Sequence, residues 1–152
     1  MVIHTGFYKE RDSLIRDLND PNIDFSFMEN EFVMFNKLGI YNFIHGYCDV
    51  MAEYMSNTYG YEKKYLVSNK ALLVHAWCEY DYNGERMYID ARGSTNDINE
   101  MIEEFDCSSI NDYLELGYEI VPEYYPGTIS VNDSSYKAAK FFDKYYKLNA
   151  LS

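Results

Sequence analysis

Apolar positions along the chain follow two periods, and each predicts its own element type. Near the start, Phe7, Leu14, Ile15 and Leu18 share one helical face, with Thr5 as a cap and Asn19-Asp20-Pro21 as the stop. A second helix is predicted from about Phe27 to Lys37, where Met28, Phe32, Phe35 and Leu38 keep helical spacing and Gly39 supplies a left-handed end. Ile40 to Ile44 reads as a short extended approach. A third helix, from about Tyr47 to Thr58, lines up Tyr47, Met51, Tyr54, Met55 and Thr58 and ends before Gly60.

The period then changes to two. Tyr65 to Ser68 reads as a short strand, and Leu72 to Tyr82 and Glu85 to Ala91 as longer ones joined by Asn83-Gly84, a pair suited to the two positive-φ positions of a type I′ turn. Further on, Ser94 or Thr95 is placed to cap a helix reaching Phe105, and Ser109 to start one that stops at Gly117. Ile120-Val121 reads as a short strand. A last helix is predicted from about Ser134 to Leu148, with Ala138, Phe141, Phe142, Tyr145 and Leu148 on its apolar stripe and Lys137, Lys140, Lys144 and Lys147 on its solvated one.

Counting outward from Asn83-Gly84 sets Tyr82 opposite Glu85, Trp77 opposite Asp90 and His75 opposite Arg92. His75 and Asp90 are then diagonal neighbours on one face, within side-chain reach. The other face carries Val74, Ala76, Cys78 and Tyr80 against Met87, Ile89 and Ala91, which makes it the core surface and frees His75. Asp81 and Glu79 are rival carboxylates on the His75 face, and Arg92 is a rival partner for Asp90.

A chain of 152 residues is the size of one domain, 1–152, with an expected α+β fold. No signal-like or membrane-spanning run stands out, which predicts a soluble, unprocessed protein. The three cysteines, Cys48, Cys78 and Cys107, lack metal-ligand spacing and form an odd set, so the expectation is a reducing, cytoplasmic setting with no disulfide framework, metal or cofactor. A net charge of −12 argues against direct binding to nucleic acid or anionic membrane. The oligomeric state leaves no trace in the pattern. Seventeen tyrosines beside many Asn, Asp and Lys are what an AT-rich coding sequence produces, as in a phage or a low-GC bacterium.

Cys48 falls in the first turn of its predicted helix, where the macrodipole lowers a thiol's pKa. With His75 as base and Asp90 to orient it, the three residue types compose a nucleophilic triad. The competing reading makes Cys48 a small core hydrophobe and His75 a structural strand residue.

Gly46-Tyr47-Cys48 with Met51-Ala52, and His75-Ala76-Trp77 through Tyr88-Ile89-Asp90, resemble the core of the transglutaminase-like superfamily, which is papain-like in geometry. The resemblance covers about Gly46 to Gly93. It implies a small antiparallel sheet with the nucleophile helix packed against it and flanking helices, and Cys48, His75 and Asp90 as catalytic residues. Asn42, six residues before Cys48, matches the place of the papain-like oxyanion-hole Gln. The implied activity is cysteine-dependent acyl transfer on a protein or peptide amide: amidase, peptidase, deamidase or transglutaminase-like transferase.

The alternative is a non-enzymatic acidic binder, an inhibitor that mimics nucleic acid or blocks a basic surface. Between Arg92 and Lys137 the chain has no Lys or Arg but carries Asp97, Glu100, Glu103, Glu104, Asp106, Asp112, Glu115, Glu119, Glu123 and Asp133. Such a field steers cationic partners, and it would equally select a basic substrate for the triad.

Overall fold

The computed structural model describes residues 4–5, 43, 46–102, 105, 107, 109–124 and 130–146. Within them the fold is α+β, built on a six-stranded sheet in the order β1-β5-β4-β3-β2-β6 with every neighbouring pair antiparallel. Its strands are β1 (His4–Thr5), β2 (Glu62–Val67), β3 (Leu73–Tyr82), β4 (Glu85–Asp90), β5 (Gly93–Thr95) and β6 (Glu119–Val121). The helices are α1 (Cys48–Tyr59), α2 (Ile110–Glu115) and α3 (Ser134–Tyr146), with a 3₁₀ turn at Ile98–Met101.

The β3–β4 hairpin has the expected register, Tyr82 opposite Glu85 through Cys78 opposite Ile89. Asn83 (φ 49°) and Gly84 (φ 82°) both adopt positive φ. A Cβ at Gly84 would meet nothing within 4 Å, so Gly84→Ala should cost only its backbone strain, roughly 1–2 kcal/mol. Urea denaturation checks this; an unchanged midpoint would contradict the turn assignment.

Strand β3 does not keep one alternation along its length. Leu66 pairs with His75 but Val67 pairs with Leu73, which leaves Val74 as the extra residue of a β-bulge. The bulge reverses the facing of everything before it. Leu73 packs with Ala76, Cys78, Ile89 and Ala91, whereas Val74, expected on that side, packs with Trp77 and Leu66 on the other.

Each sheet face has its own core. Against the first lies α1, whose Cys48, Val50, Met51, Ala52, Tyr54 and Met55 are buried, backed by Tyr136, Ala138, Ala139 and Phe142 of α3. Sandwiched between sheet and α3, the first two turns of α1 are buried nearly all round, so a single apolar face describes them poorly; Tyr47 and Thr58, expected on that face, are exposed. Gly60 (φ 77°) ends α1 and donates its N–H to Ser56. Asp143 of α3, itself buried, accepts hydrogen bonds from the hydroxyls of Tyr54 and Tyr59 and so ties α3 to α1. The second face is covered by Met101, Ile102, Ile110 and Tyr113 against Leu66 and Trp77.

Several expectations change. Ser94 and Thr95 do not cap a helix: they form β5 between β4 and β1, and the helical segment that follows is one 3₁₀ turn capped by Asp97, whose side chain accepts from the Asn99 N–H. Thr5, expected as a cap, pairs with Ser94 in β1, and Phe43, expected in an extended segment, is helical and buried. The helices expected over 6–18 and 27–37 lie outside the described residues. Ser109 caps α2 as expected, its hydroxyl accepting from the Asp112 N–H. The last helix begins at Ser134 as expected, and the side chains of Phe141, Tyr145 and Leu148 lie outside the described set. Among the described residues no helix is long and apolar enough to cross a membrane.

Candidate functional site

His75 and Asp90 are brought together by the hairpin. His75 Nε2 lies 2.9 Å from Asp90 Oδ2, with both side chains buried. Asp90 is also clamped by the residue two positions on: the Arg92 backbone N–H donates to Oδ1 at 2.8 Å, and Arg92 Nη2 donates to Oδ2 at 2.7 Å. The tight β4–β5 turn, with Asp90 opposite Gly93, folds Arg92 back onto the carboxylate, and its Nη2 also donates to the Met101 carbonyl at 3.0 Å. Burial works against ionising Asp90, but the Arg92 charge and the hydrogen bonds from His75 and Arg92 prevail and hold its carboxyl well below the usual carboxylate range. An ionised carboxylate only accepts, so the bonded Nε2 carries a proton of the His75 ring.

The imidazole is not free, as the alternation had suggested; His75 is 0% exposed. Its ring stacks on Trp77 at 6.0 Å and lies 5.0 Å from Phe105. The cover comes from residues beyond β5, which a two-strand alternation does not include. The rival carboxylates are engaged elsewhere: Asp81 accepts from Arg86, and Glu79 accepts from Trp77 Nε1 and Arg86 Nε.

Cys48 is the first residue of α1 and is buried in the core on the opposite face of the sheet from the His75 ring. The β3–β4 ladder runs out at Cys78 and Ile89, and beyond it the Cys48 sulfur is held against the backbone amide of Ala76, the residue that follows His75. Asp90 is close enough for its charge to act on the thiol, and Phe105 packs against both cores.

The thiol is not activated at rest. Burial pushes Cys48 up to about 12; the Ala76 and Asp49 amides act downward, and the charges of Asp49 and Asp90 add to the rise. The expectation of a lowered pKa is thus corrected: desolvation of the thiolate outweighs the helix start. Burial likewise drives the Cys78 thiol upward, and its sulfur donates to the Ala52 carbonyl at 3.2 Å. Cys107 is the least buried of the three.

Asn42 lies outside the described residues. Among the described residues no three His, Cys, Asp or Glu side chains converge as metal ligands. Sequence reading weighed Arg92 only as a rival partner for Asp90, and it missed Phe105 as a ring neighbour of His75. The Asp-x-Arg spacing across a Gly-containing turn was the available signal for Arg92; for Phe105 there was none. No protein-family model, curated protein or solved structure matches the chain.

Proposed function

We propose that the protein is a cysteine-dependent acyl-transfer enzyme of transglutaminase-like or papain-like design, acting on a protein or peptide amide. The observation that carries this reading is the bonded, buried His75–Asp90 pair on adjoining strands, with the thiol that opens α1 held at the amide next to His75. In the reaction, which requires the Cys48 sulfur to leave the α1 core and reach the His75 ring past the edge of the ladder, His75 Nδ1 takes the Cys48 proton as sulfur bonds to the carbonyl carbon and the π pair moves to oxygen. The tetrahedral species collapses with loss of the amine, which takes the proton from His75, and a thioester remains for water or a second amine. Asp90 keeps a proton on Nε2 throughout, and stabilises the imidazolium that forms when Nδ1 takes the second. Cys48 and His75 are buried, so the arrangement is a closed one; Gly46 and Tyr47, exposed just before Cys48, mark where an acyl donor would enter.

The test is mass-spectrometric mapping of the acyl adduct left by a small activated ester such as p-nitrophenyl acetate. Trapped acyl on Cys48, retained in Cys78→Ala and Cys107→Ala and absent in Cys48→Ala, is the expected pattern. Adducts confined to Cys107, the least buried thiol, would sink the reading.

A second reading, a docking surface for a basic partner, draws on a different region. Leu114 and Leu116 are 43% and 62% exposed, flanked by exposed Asp112, Glu115, Glu119 and Glu123 next to β6, the last strand of the sheet order. Glu100, counted in the acidic field from sequence, is not part of it: it is buried, and the Thr95 hydroxyl donates to it. Glu103, Glu104 and Asp106 lie outside the described residues. Binding to a cationic protein such as a histone should weaken severalfold between about 50 and 300 mM salt, as the Debye length shrinks. The triple variant E115Q/E119Q/E123Q should weaken it at low salt. Salt-insensitive binding, or a triple variant that binds as the parent does, would remove this surface from consideration.

A further inference from the structure

We propose that Tyr61 and Tyr80 are an oxidative cross-linking site, at which a one-electron oxidant joins the two rings as an intramolecular dityrosine, and that Tyr59 passes oxidation to them. The geometry is a line of five tyrosine rings. Tyr136 of α3 lies 5.8 Å from Tyr54 of α1, Tyr54 6.4 Å from Tyr59, Tyr59 5.3 Å from Tyr61, and Tyr61 4.4 Å from Tyr80 of β3. The last pair is nearly parallel, at 14°, which puts the two rings in face contact. Tyr136 and Tyr54 are buried, whereas Tyr59, Tyr61 and Tyr80 are half-buried, so the line runs from the core to a place that solvent reaches.

The inner part of the line has a proton acceptor in place. Asp143, buried on α3, accepts from the hydroxyls of both Tyr54 and Tyr59. A phenol that loses an electron must also lose its proton, or it becomes a cation that burial disfavours. The shared carboxylate takes that proton where it stands. Tyr59 thus holds a neutral phenoxyl radical, and on taking back an electron and its proton it hands the oxidation to Tyr61, whose own proton leaves to water. Tyr80 is fixed for the second half of the step by the 2.8 Å hydrogen bond between its hydroxyl and Ser94 Oγ. Trp77, the chain's one tryptophan, is 0% exposed and lies apart from the line, in the core on the other face of the sheet.

Two one-electron oxidations convert the Tyr61 and Tyr80 phenols to phenoxyl radicals, with two electrons passing to two equivalents of oxidant and two protons to solvent. An ortho carbon of Tyr61 bonds to an ortho carbon of Tyr80. Each bonded carbon then gives up its hydrogen as its ring regains aromaticity and its oxygen regains a proton. The product is two hydrogens lighter than the parent, and it ties the segment between α1 and β2 to β3. Neither Cys48 nor His75 takes part, so the site is independent of the acyl-transfer reading.

The experiment is brief photo-oxidation of the dilute full chain with tris(bipyridine)ruthenium(II) and persulfate, read by peptide mass spectrometry and dityrosine fluorescence. The expected product is a monomer two hydrogens lighter, with Tyr61 linked to Tyr80. Tyr61→Phe and Tyr80→Phe should each remove the fluorescence of that product. Tyr59→Phe, which keeps the ring but not the hydrogen bond to Asp143, should lower the yield of the linkage severalfold. In concentrated urea, where only proximity along the chain remains, the linkage should fall to a small fraction of its yield in buffer. Intramolecular dityrosine confined to other pairs, cross-links formed only between molecules, or a Tyr61–Tyr80 yield as high in urea as in buffer would overturn the proposal. A folded Tyr59→Phe protein that cross-links as the parent does would overturn the part given to Tyr59. Should a variant not fold, the parent's products in buffer and in urea still decide whether Tyr61 and Tyr80 are the site.

Discussion

Acylation of Cys48 by an activated ester is expected to fall by about 10²–10⁴ when His75 is replaced with Ala, the range that a positioned general base supplies. The expectation is steep because the thiol has little reactivity of its own. With its pKa pushed up to about 12 by burial, Cys48 is overwhelmingly a thiol at pH 7. A thiol activated by the helix start alone would have kept most of its rate without the imidazole. Loss of the rate in His75→Ala, with the fold intact by circular dichroism, therefore separates a base mechanism from intrinsic reactivity. His75→Gln, which fills much of the same space and can still donate to Asp90, should be as slow as the Ala variant. Either variant acylating Cys48 at the parent rate would remove His75 from the mechanism.

Replacing Asp90 with Ala should destabilise the protein by about 3–5 kcal/mol, because it leaves Arg92 charged, buried and without its carboxylate. Asp90→Asn, which keeps the shape and an acceptor oxygen, should cost less. The pH dependence has a definite sign. The Asp90 carboxyl is held below its unfolded value, so its contribution is fully present above the unfolded pKa of about 3.9 and is lost as pH falls from there toward the folded value. Urea titrations between pH 3 and 7 should show the parent weakening at the acid end, with that part of the slope missing in Asp90→Asn. An Asp90→Ala protein within about 1 kcal/mol of the parent would mean that Arg92 finds another buried partner.

Much of the arrangement around β3 and β4 was readable before any coordinates, because local rules govern it. Asn-Gly fixes a two-residue turn, the turn fixes the register, and the register puts His75 and Asp90 on one face and Cys78 on the other. Cys48 at a helix start, the end of that helix at Gly60, the Ser109 cap and the start at Ser134 are equally short-range features. The bulge at Val74 was hidden because nothing in Leu72-Leu73-Val74 distinguishes a regular pleat from one that slips by a residue; the pairing with β2 decides it.

The chain's own pattern therefore determined an α+β protein, the location of most of its described elements and the pairing of His75 with Asp90, all of which depend on neighbours within a turn or across one hairpin. Only the tertiary structure decided the state of those groups. Ser94 and Thr95 became strand because β4 and β1 offered ladders on both sides, and a ladder in place outweighs a cap that is merely available. Phe105 comes from further along the chain to lie against the His75 ring, and Arg92 is folded onto Asp90 and the Met101 carbonyl of the 3₁₀ turn. Desolvation is set by everything that surrounds a group, so the rise of the Cys48 thiol and the fall of the Asp90 carboxyl belong to packing that no single segment encodes.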